Sequence, residues 1–411
     1  MVMRIINIVL ALLLSMPVLR AQESATSSSS NLSDVVEHNA QMGFNDTIDR
    51  MADDFIRASL VIASPGEVLY SILGHAAIRL QSTTYDLDYI FSYESESVHG
   101  RVLRFLANDL KMGMVALPVD IYLQPYKEDG RGVKEYPMNL PPEVEIELWR
   151  ILDEKVAEGM DLPYDYIDRG CVITIVRVID EAIASANAKN GTHYELRYPE
   201  LGKDFDRTLR EIVYDNSPEG WQRFFGMTLV GGKVDSQKLA PTDKLIIPRE
   251  LVSVWENTTI NNTPILGSSE ELLPLEREYK GDAFSPFYAS LLVLVLAIGG
   301  LFWRKPYIDW LILGMQTILG VLMVWLLISP LPGSEWSWLI IPFNPLPILF
   351  WKWRDQWCIP YAVLMVIWSV GMMCAPHRLV EAAHIILVYA FMIVILKQTI
   401  IKKYNQKNDA K

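Results

Sequence analysis

Hydrophobic and polar positions divide the chain near residue 285. Before that point, short apolar runs alternate with charged and turn-forming segments, which is typical of a folded domain of strands and amphipathic helices. After it, apolar runs of about 20 residues are long enough to cross a bilayer. The five spans predicted from this pattern are 285–303, 310–329, 336–351, 357–376 and 379–396.

Within the first part, the hydrophobic period changes between that of strands and that of helices. Alternation that begins at His75 and runs to Leu80, followed by a second segment over 86–93, predicts two short antiparallel strands, with further strands over 58–63 and 112–119. A helix over 142–158 begins at a proline and carries glutamates in its first turns. The pattern also predicts helices over 35–55 and 98–108, two strand-like pieces in 126–140 and a strand over 244–247.

The most informative stretch follows residue 163. Apolar residues at helical spacing predict a helix from Cys171 to an Asn-Gly stop signal at 190–191. A thiol in the first turn of a helix lies near unpaired N–H groups and the positive end of the helix dipole, which lower its pKa. Cys358 and Cys374 lie in apolar spans, so Cys171 has no disulfide partner in the exported domain. The alternative is a small, buried apolar side chain.

Composition and charge indicate which segments are exported and which are cytoplasmic. Residues 1–21 have the basic start, apolar core and small-residue cleavage site of a secretory signal peptide, with an uncleaved anchor as the alternative. Polar linkers are predicted over 22–34 and 257–284, on either side of an exported domain over 35–256. Basic residues follow the first, third and fifth spans, which places the tail 399–411 in the cytoplasm and the domain outside it.

The chain carries 49 acidic and 37 basic residues, a formal net charge of −12, and the acidic excess lies before residue 285. This balance argues against a nucleic-acid partner and against docking on anionic lipid by charge alone. Polar residues within the predicted spans are functional candidates by default. They are Gln316, Asn344, Glu381 and His384. The last two fall within about a turn of the outer surface, which equally predicts a wet, interfacial position.

A cysteine nucleophile needs a base within hydrogen-bond reach, and that base needs an orienting group. Of the six histidines, His75 alone stands at a predicted strand start directly after a glycine, which lets another group approach closely. A structural imidazole is the alternative for His75. The neighbouring predicted strand offers Asp88 and Ser92 as orienting groups.

Four segments occur in a characteristic order: PGEVLYSILGHAAIR (65–79), DLDYIFSYE (86–94), EDGRGVKEYPMNL (128–140) and YDYIDRGC (164–171). Together with five following spans, this order resembles the exported domain of the lipoprotein N-acyltransferases of Bacteroidetes-type bacteria. The resemblance covers roughly residues 58–251. The chain departs from that family at Gly170, where asparagine is usual, at the looser spacing of Thr174 and Arg177, and at Ser-Tyr-Glu (92–94), where Asn-Tyr-Gly is usual.

The resemblance implies an α+β, permuted papain-like (NlpC/P60-like) cysteine-enzyme domain followed by an all-α bundle of five transmembrane helices. It implies no cofactor and no metal. A phospholipid would donate an acyl chain to a cysteine, and a diacylated lipoprotein would accept it at its N-terminal amine, on the periplasmic side of the inner membrane. The implied residues are Cys171 as nucleophile, His75 as general base, Asp88 as its orienting group, and Tyr166, Tyr126 and Arg131 along the substrate cleft.

Two other functions fit the same residues. A cell-wall cysteine peptidase or amidase of NlpC/P60 type would share the fold, but a soluble glycan-peptide substrate does not require five spans. A non-catalytic membrane scaffold would use Cys171 only as a core residue. Titration of the thiol separates the enzymes from the scaffold, because a thiolate at neutral pH favours an enzyme.

Overall fold

The computed structural model describes residues 55–68, 71–98, 100–200, 208–231, 246–302, 306–375 and 380–409. The predicted signal peptide and Ser-rich linker, together with nearly all of the predicted helix 35–55 and most of the predicted strand 244–247, lie outside these residues. The described chain divides into two compact units. The sheet unit comprises 55–200 and 246–279, and the helical unit comprises 208–231 and 280–409.

In chain order the elements are β1 (Arg57–Ala63), β2 (His75–Ser82), β3 (Leu87–Ser95), α1 (Val102–Leu106), β4 (Lys111–Pro118), α2 (Val119–Glu128), β5 (Val133–Pro137), α3 (Pro142–Ala157), β6 (Leu162–Pro163), α4 (Cys171–Asn190), β7 (Leu196–Arg197), α5 (Leu209–Asn216), α6 (Trp221–Leu229), α7 (Pro248–Trp255), β8 (Thr259–Ile260), β9 (Thr263–Pro264), β10 (Glu270–Leu273), α8 (Pro286–Gly300), α9 (Tyr307–Ile328), α10 (Leu346–Leu349), α11 (Arg354–Cys374) and α12 (Ala382–Asp409).

The sheet unit is built on a seven-stranded sheet in the order β10-β5-β1-β2-β3-β4-β6, in which neighbouring strands are antiparallel. The predicted pairing of β2 with β3 is confirmed, and its register places Ala77 opposite Ser92 and Gln81 opposite Asp88. The start of β2 therefore lies beside the end of β3. This direction decides which side chains of β3 reach His75.

Helices α3 and α4 bury their apolar faces in the main core of the sheet unit. Leu148 of α3 and Val178 of α4 are fully buried, as are Ile78 and Leu80 of β2. Burying a side chain of this size contributes about 1.5 to 3 kcal/mol. The predicted helix beginning at Cys171 is confirmed, and Gly191 ends it in the left-handed conformation (φ 67°).

The structure differs from the sequence prediction over 126–140. The chain forms helix α2 up to Glu128 and then a single strand, β5, instead of two strand-like pieces. Tyr122 and Tyr126 lie one turn apart on α2 and are both buried, which is the pattern of a helix with one apolar face. Pro125 inside the helix obscured this pattern in the sequence. The predicted helix over 98–108 is limited to α1.

In the helical unit, three segments are long and apolar enough to cross a membrane: Tyr307–Ile328, Trp351–Cys374 and Ala382–Ile401. The first predicted span forms the shorter apolar helix α8. The predicted span over 336–351 is not a continuous helix. It consists of a 3₁₀ turn (Trp338–Ile340) followed by α10, because three prolines at 342, 345 and 347 lack the N–H groups that a helix requires.

Polar side chains satisfy the backbone of this broken segment. The carbonyl of Pro342 accepts hydrogen bonds from Gln316 Nε2 at 3.2 Å and from the Tyr361 hydroxyl at 3.1 Å. The side chain of Asn344 donates to the Ile341 carbonyl and accepts from the Leu346 N–H. Irregular backbone is tolerated at membrane depth only when protein groups satisfy it. Gln316 and Asn344 thus have a structural role.

Glu381 and His384 are buried in the helical unit, which corrects the alternative that they are wet. A carboxylate oxygen of Glu381 lies 2.8 Å from Arg223 Nε on α6. His384 Nε2 lies 2.9 Å from the Thr228 hydroxyl, and its ring stacks on Phe224 with centroids 4.3 Å apart. The sequence did not indicate that α6 packs against the start of α12.

Candidate active site

Cys171 and His75 meet where the start of α4 faces the start of β2. The Cys171 sulfur is hydrogen-bonded to the His75 imidazole and accepts a hydrogen bond from the Ala76 backbone N–H. Gly74, with φ of +87°, precedes the histidine, and a Cβ there would lie 2.7 Å from the Ala63 carbonyl oxygen. Only glycine allows β1 and β2 to approach this closely. The two residues predicted as nucleophile and base are therefore in contact.

The other side of the imidazole contacts β3. His75 Nε2 lies 2.7 Å from Ser92 Oγ and 3.3 Å from Glu94 Oε1, and the Ser92 hydroxyl donates to Glu94 at 2.6 Å. Because that hydroxyl uses its proton on Glu94, it accepts from Nε2–H of His75. The second ring nitrogen is left for Cys171. The four side chains form one chain of hydrogen bonds from carboxylate to thiol.

Asp88, predicted from the resemblance to orient the imidazole, does not occupy that position. Its carboxylate accepts hydrogen bonds from Arg79 Nε and Nη2, both at 2.7 Å, and Arg79 also bonds Glu135. Antiparallel pairing places the beginning of β3, where Asp88 lies, beside the end of β2. The side chains that reach His75 come from the opposite end of β3. Glu94, which the sequence did not single out, is the acidic side chain that reaches His75.

Charge distribution at the site favours a thiolate beside an imidazolium. Burial alone raises the pKa of Cys171, but the charge of His75, its hydrogen bond and the Ala76 N–H outweigh burial and lower that pKa. Burial lowers the pKa of His75, but Cys171 and Glu94 hold it well above its usual value. Burial raises the pKa of Glu94, but His75 and Ser92 lower it overall.

Tyr126 and Arg131 lie together next to this cluster. The Tyr126 hydroxyl donates to Tyr122 at 3.2 Å, and the Arg131 guanidinium carbon lies 4.7 Å from the centre of the Tyr126 ring. Burial is the first cause of the raised pKa of Tyr126. Tyr166 lies instead in the turn before Cys171, where its ring is 6.3 Å from that of Tyr164.

The turn that leads into Cys171 is held by side chains of α4 itself. Thr174 Oγ1 donates to the Arg169 carbonyl at 3.4 Å, and Arg177 Nη1 donates to the Asp168 carbonyl. Gly170 has an ordinary φ of −62°, but a Cβ there would lie 3.2 Å from the Tyr166 carbonyl oxygen. The looser spacing of Thr174 and Arg177 thus serves to fix the backbone ahead of the nucleophile.

Among the residues that the structure describes, no group of three or more histidine, cysteine or acidic side chains is arranged to hold a metal ion. The Cys171 thiol, the His75 imidazole and the Glu94 carboxylate stand in hydrogen-bonded order, an arrangement that could supply a nucleophile, a proton carrier and an orienting anion.

A comparison with known protein families agrees with the prediction that the sheet unit is an exported domain. Residues 45–201 match the family model of the Lnb N-terminal periplasmic domain. No curated protein and no solved structure matches the chain. The family match supports an exported, periplasmic domain. With the apolar helices of the second unit, it indicates a membrane protein that carries such a domain.

Proposed function

We propose that the protein is a membrane acyltransferase that moves a fatty acyl chain from a phospholipid, through a Cys171 thioester, to the N-terminal amine of diacylated lipoproteins. The observation that carries the proposal is the hydrogen-bonded series Cys171, His75, Ser92 and Glu94 in a chain that also has helices long and apolar enough to span a membrane. The resemblance to the lipoprotein N-acyltransferases and the match to a periplasmic domain family support it.

In the first step, the Cys171 thiolate attacks the carbonyl carbon of a phospholipid ester. The carbon–oxygen bond of the ester breaks, and the His75 imidazolium gives its proton to the departing glycerol oxygen. The products are a thioester on Cys171 and a lysophospholipid. Gly170 has no side chain that could cap α4. The backbone N–H groups in the first turn of α4 therefore remain available to hold the oxyanion of the tetrahedral intermediate.

In the second step, the α-amine of the lipoprotein attacks the thioester carbon. His75, now neutral, takes a proton from the amine, the carbon–sulfur bond breaks and the thiolate returns. The product is an amide on the lipoprotein. Dividing the transfer in this way replaces one difficult step with two easier ones. Membrane helices suit this reaction because both substrates are anchored in a lipid bilayer.

A permuted papain-like fold belongs to the same proposal. In such a fold the nucleophilic cysteine opens a helix, and the histidine stands on a strand of the sheet. Here Cys171 begins α4, His75 begins β2, and the histidine comes earlier in the chain. These placements agree with the permuted order of the family that the sequence resembles.

We also propose five membrane crossings, with the sheet unit on the periplasmic side of the inner membrane. The broken segment runs alongside α9 from its end to its start, since Ser334 bonds the Leu326 carbonyl and Trp351 packs on Trp310. The 16 residues between Leu326 and Trp310 correspond to about 24 Å of helix. The segment therefore covers most of a bilayer's hydrocarbon thickness without being a continuous helix.

Ion pairs at the two ends of the apolar part of α12 (Ala382–Ile401) agree with this layout. Glu381, just before α12, pairs with Arg223 of α6, which belongs to the exported part of the predicted topology. Lys397, near the other end of this apolar part, pairs with Asp309 at the start of α9. A reporter fused after Lys411 should therefore read as cytoplasmic, and one inserted between β10 and α8 as periplasmic. A periplasmic C-terminus would contradict five crossings.

Reconstitution tests the proposed reaction. The purified full-length protein in liposomes receives a lipoprotein whose N-terminal cysteine carries a diacylglyceryl group and a free amine. We expect one added acyl mass on the lipoprotein by mass spectrometry and an equal amount of lysophospholipid. Cys171→Ser should lower the rate by roughly 10⁴-fold or more, whereas Cys374→Ser should match the wild type.

Other outcomes would overturn the proposal. Cleavage of a peptidoglycan fragment without acyl transfer would identify a cell-wall peptidase or amidase. Absence of both reactions, together with a Cys171→Ser variant that still supports growth wherever the wild type is required, would identify a scaffold.

A further inference from the structure

Arg131 is a buried cation that forms no direct ion pair with a carboxylate of the described residues, although its charge acts on Glu94 and Asp129. It is 7% exposed, and its Nε and Nη2 donate to the Ser64 carbonyl at 2.8 and 2.6 Å. A guanidinium has five N–H donors, so the two on Nη1 and one on Nη2 remain after these bonds. Buried charges in folded proteins are normally paired with an opposite charge. An arginine without a direct ion pair has donors with which it can hold an anion.

The position of Arg131 puts that anion next to the reacting groups. Ser64 directly follows Ala63, and Ala63 is opposite His75 in the β1–β2 pairing. The guanidinium also covers the Tyr126 ring, and its positive charge contributes to the lowered pKa of Glu94. Arg131 thus lies on the β1 side of the imidazole.

We propose that Arg131 binds the phosphodiester of the acyl-donor phospholipid and so holds the ester carbonyl against Cys171. This inference rests on the proposed function. The phosphate is the group that distinguishes the acyl donor from the acceptor lipoprotein. The donor carries a phosphate only a few bonds from its ester carbonyls, whereas the diacylglyceryl group of the acceptor has none. The planar fork of a guanidinium matches the geometry of phosphate oxygens.

The test compares two donors that differ only in the phosphate group. Full-length protein in neutral detergent micelles is given phosphatidylglycerol or diacylglycerol with the same acyl chains, and the Cys171 thioester is followed by intact-protein mass spectrometry. We expect the wild type to react about 30- to 100-fold faster with phosphatidylglycerol, as for a charged hydrogen bond. Arg131→Gln should remove this preference by slowing only the phosphatidylglycerol reaction. Arg131→Lys should keep part of it.

Controls separate binding from folding and from free phosphate. Arg57→Gln, at an exposed position on β1, should behave as the wild type. Alkylation of Cys171 by iodoacetamide should proceed at the wild-type rate in Arg131→Gln, which reports an intact site. Inorganic phosphate at millimolar concentration should leave the donor preference in place, because the phosphate that is bound belongs to the lipid.

Each contrary result has a defined meaning. If Arg131→Gln slows both donors equally, Arg131 only supports the turn after β1, and the inference is wrong. If the wild type reacts equally with both donors, the inference is wrong while the thioester chemistry stands. If neither donor acylates Cys171 in the wild type, the proposed function itself fails.

Discussion

His75 in the sheet unit and His384 in the helical unit are both hydrogen-bonded through both ring nitrogens, but their partners differ. His384 accepts from the Glu381 backbone N–H at 3.1 Å through Nδ1, so its proton is on Nε2, which faces the Thr228 hydroxyl. This ring is neutral, with both nitrogens used by structural partners. His75 instead lies between the Glu94 carboxylate and the Cys171 thiol, which together favour the charged form of the imidazole.

This difference shows which features make a buried histidine reactive. A backbone N–H and a hydroxyl hold a neutral imidazole in one orientation, whereas an acid and a thiol allow a proton to move between groups. The more reactive histidine, His75, is also the more exposed of the two. The side chain of His75 is 17% exposed, while residue His384 is fully buried. We therefore assign chemistry to His75 and packing to His384, and four variants test the assignment.

The largest effect is expected for His75→Ala. Without the imidazole, Cys171 loses both the group that lowers its pKa and the proton donor for the leaving alcohol, so thioester formation should fall by roughly 10² to 10⁴-fold. Rapid-quench measurement of the acyl-enzyme gives this rate. His193→Ala, at an exposed position, is the matched control. Wild-type turnover in His75→Ala would contradict the assignment of the base.

His384→Ala should instead affect stability. The variant removes a ring that stacks on Phe224 and leaves the Thr228 hydroxyl and the Glu381 N–H without their partner. We expect a loss of about 2 to 4 kcal/mol in the free energy of unfolding. Thermal unfolding in detergent measures it. Below the unfolding transition, alkylation of Cys171 should keep its wild-type rate, and a large loss of that reactivity would give His384 a role in the chemistry.

Glu94→Gln tests the carboxylate beside His75 through pH. Thioester formation needs the Cys171 thiolate and the His75 imidazolium, so its rate rises as the thiol ionises and falls as the imidazolium loses its proton. Glu94 raises the pKa of His75, and its removal lets that pKa fall. The high-pH limb of the rate profile should therefore move to lower pH. Glu158→Gln, at an exposed position, should leave it in place, and an unmoved limb in Glu94→Gln would exclude the role proposed for Glu94.

The smallest effect is expected for Asp88→Asn. The Asp88 side chain is 44% exposed, and exposed ion pairs contribute at most about 1 kcal/mol. Unfolding should become easier by no more than that, and the thioester rate should not change. A fall in the rate comparable to that of His75→Ala would restore Asp88 as the orienting group.

Local patterns in the sequence predicted much of what lies near Cys171. The helix from Cys171 to the stop at 190–191 follows from apolar spacing and a glycine that adopts positive φ. The strand after His75 follows from alternation, and Gly74 marks a close approach that the backbone of β1 confirms. The division into a soluble part and an apolar part follows from the length of the hydrophobic runs. Each of these depends on residues within a few turns of one another.

Tertiary structure alone decided which distant side chains meet. The direction of the β2–β3 pairing brings Glu94 to His75 and sends Asp88 to Arg79, and no single strand carries that information. Packing of α6 against the start of α12 buries Glu381 and His384, although their spacing from the end of a span suggested water. The carbonyl of Pro342 finds Gln316 on another helix, which makes a proline-broken segment stable among apolar helices. Contacts of this kind depend on how elements far apart in the chain are arranged, and hydrophobic periodicity does not specify that arrangement.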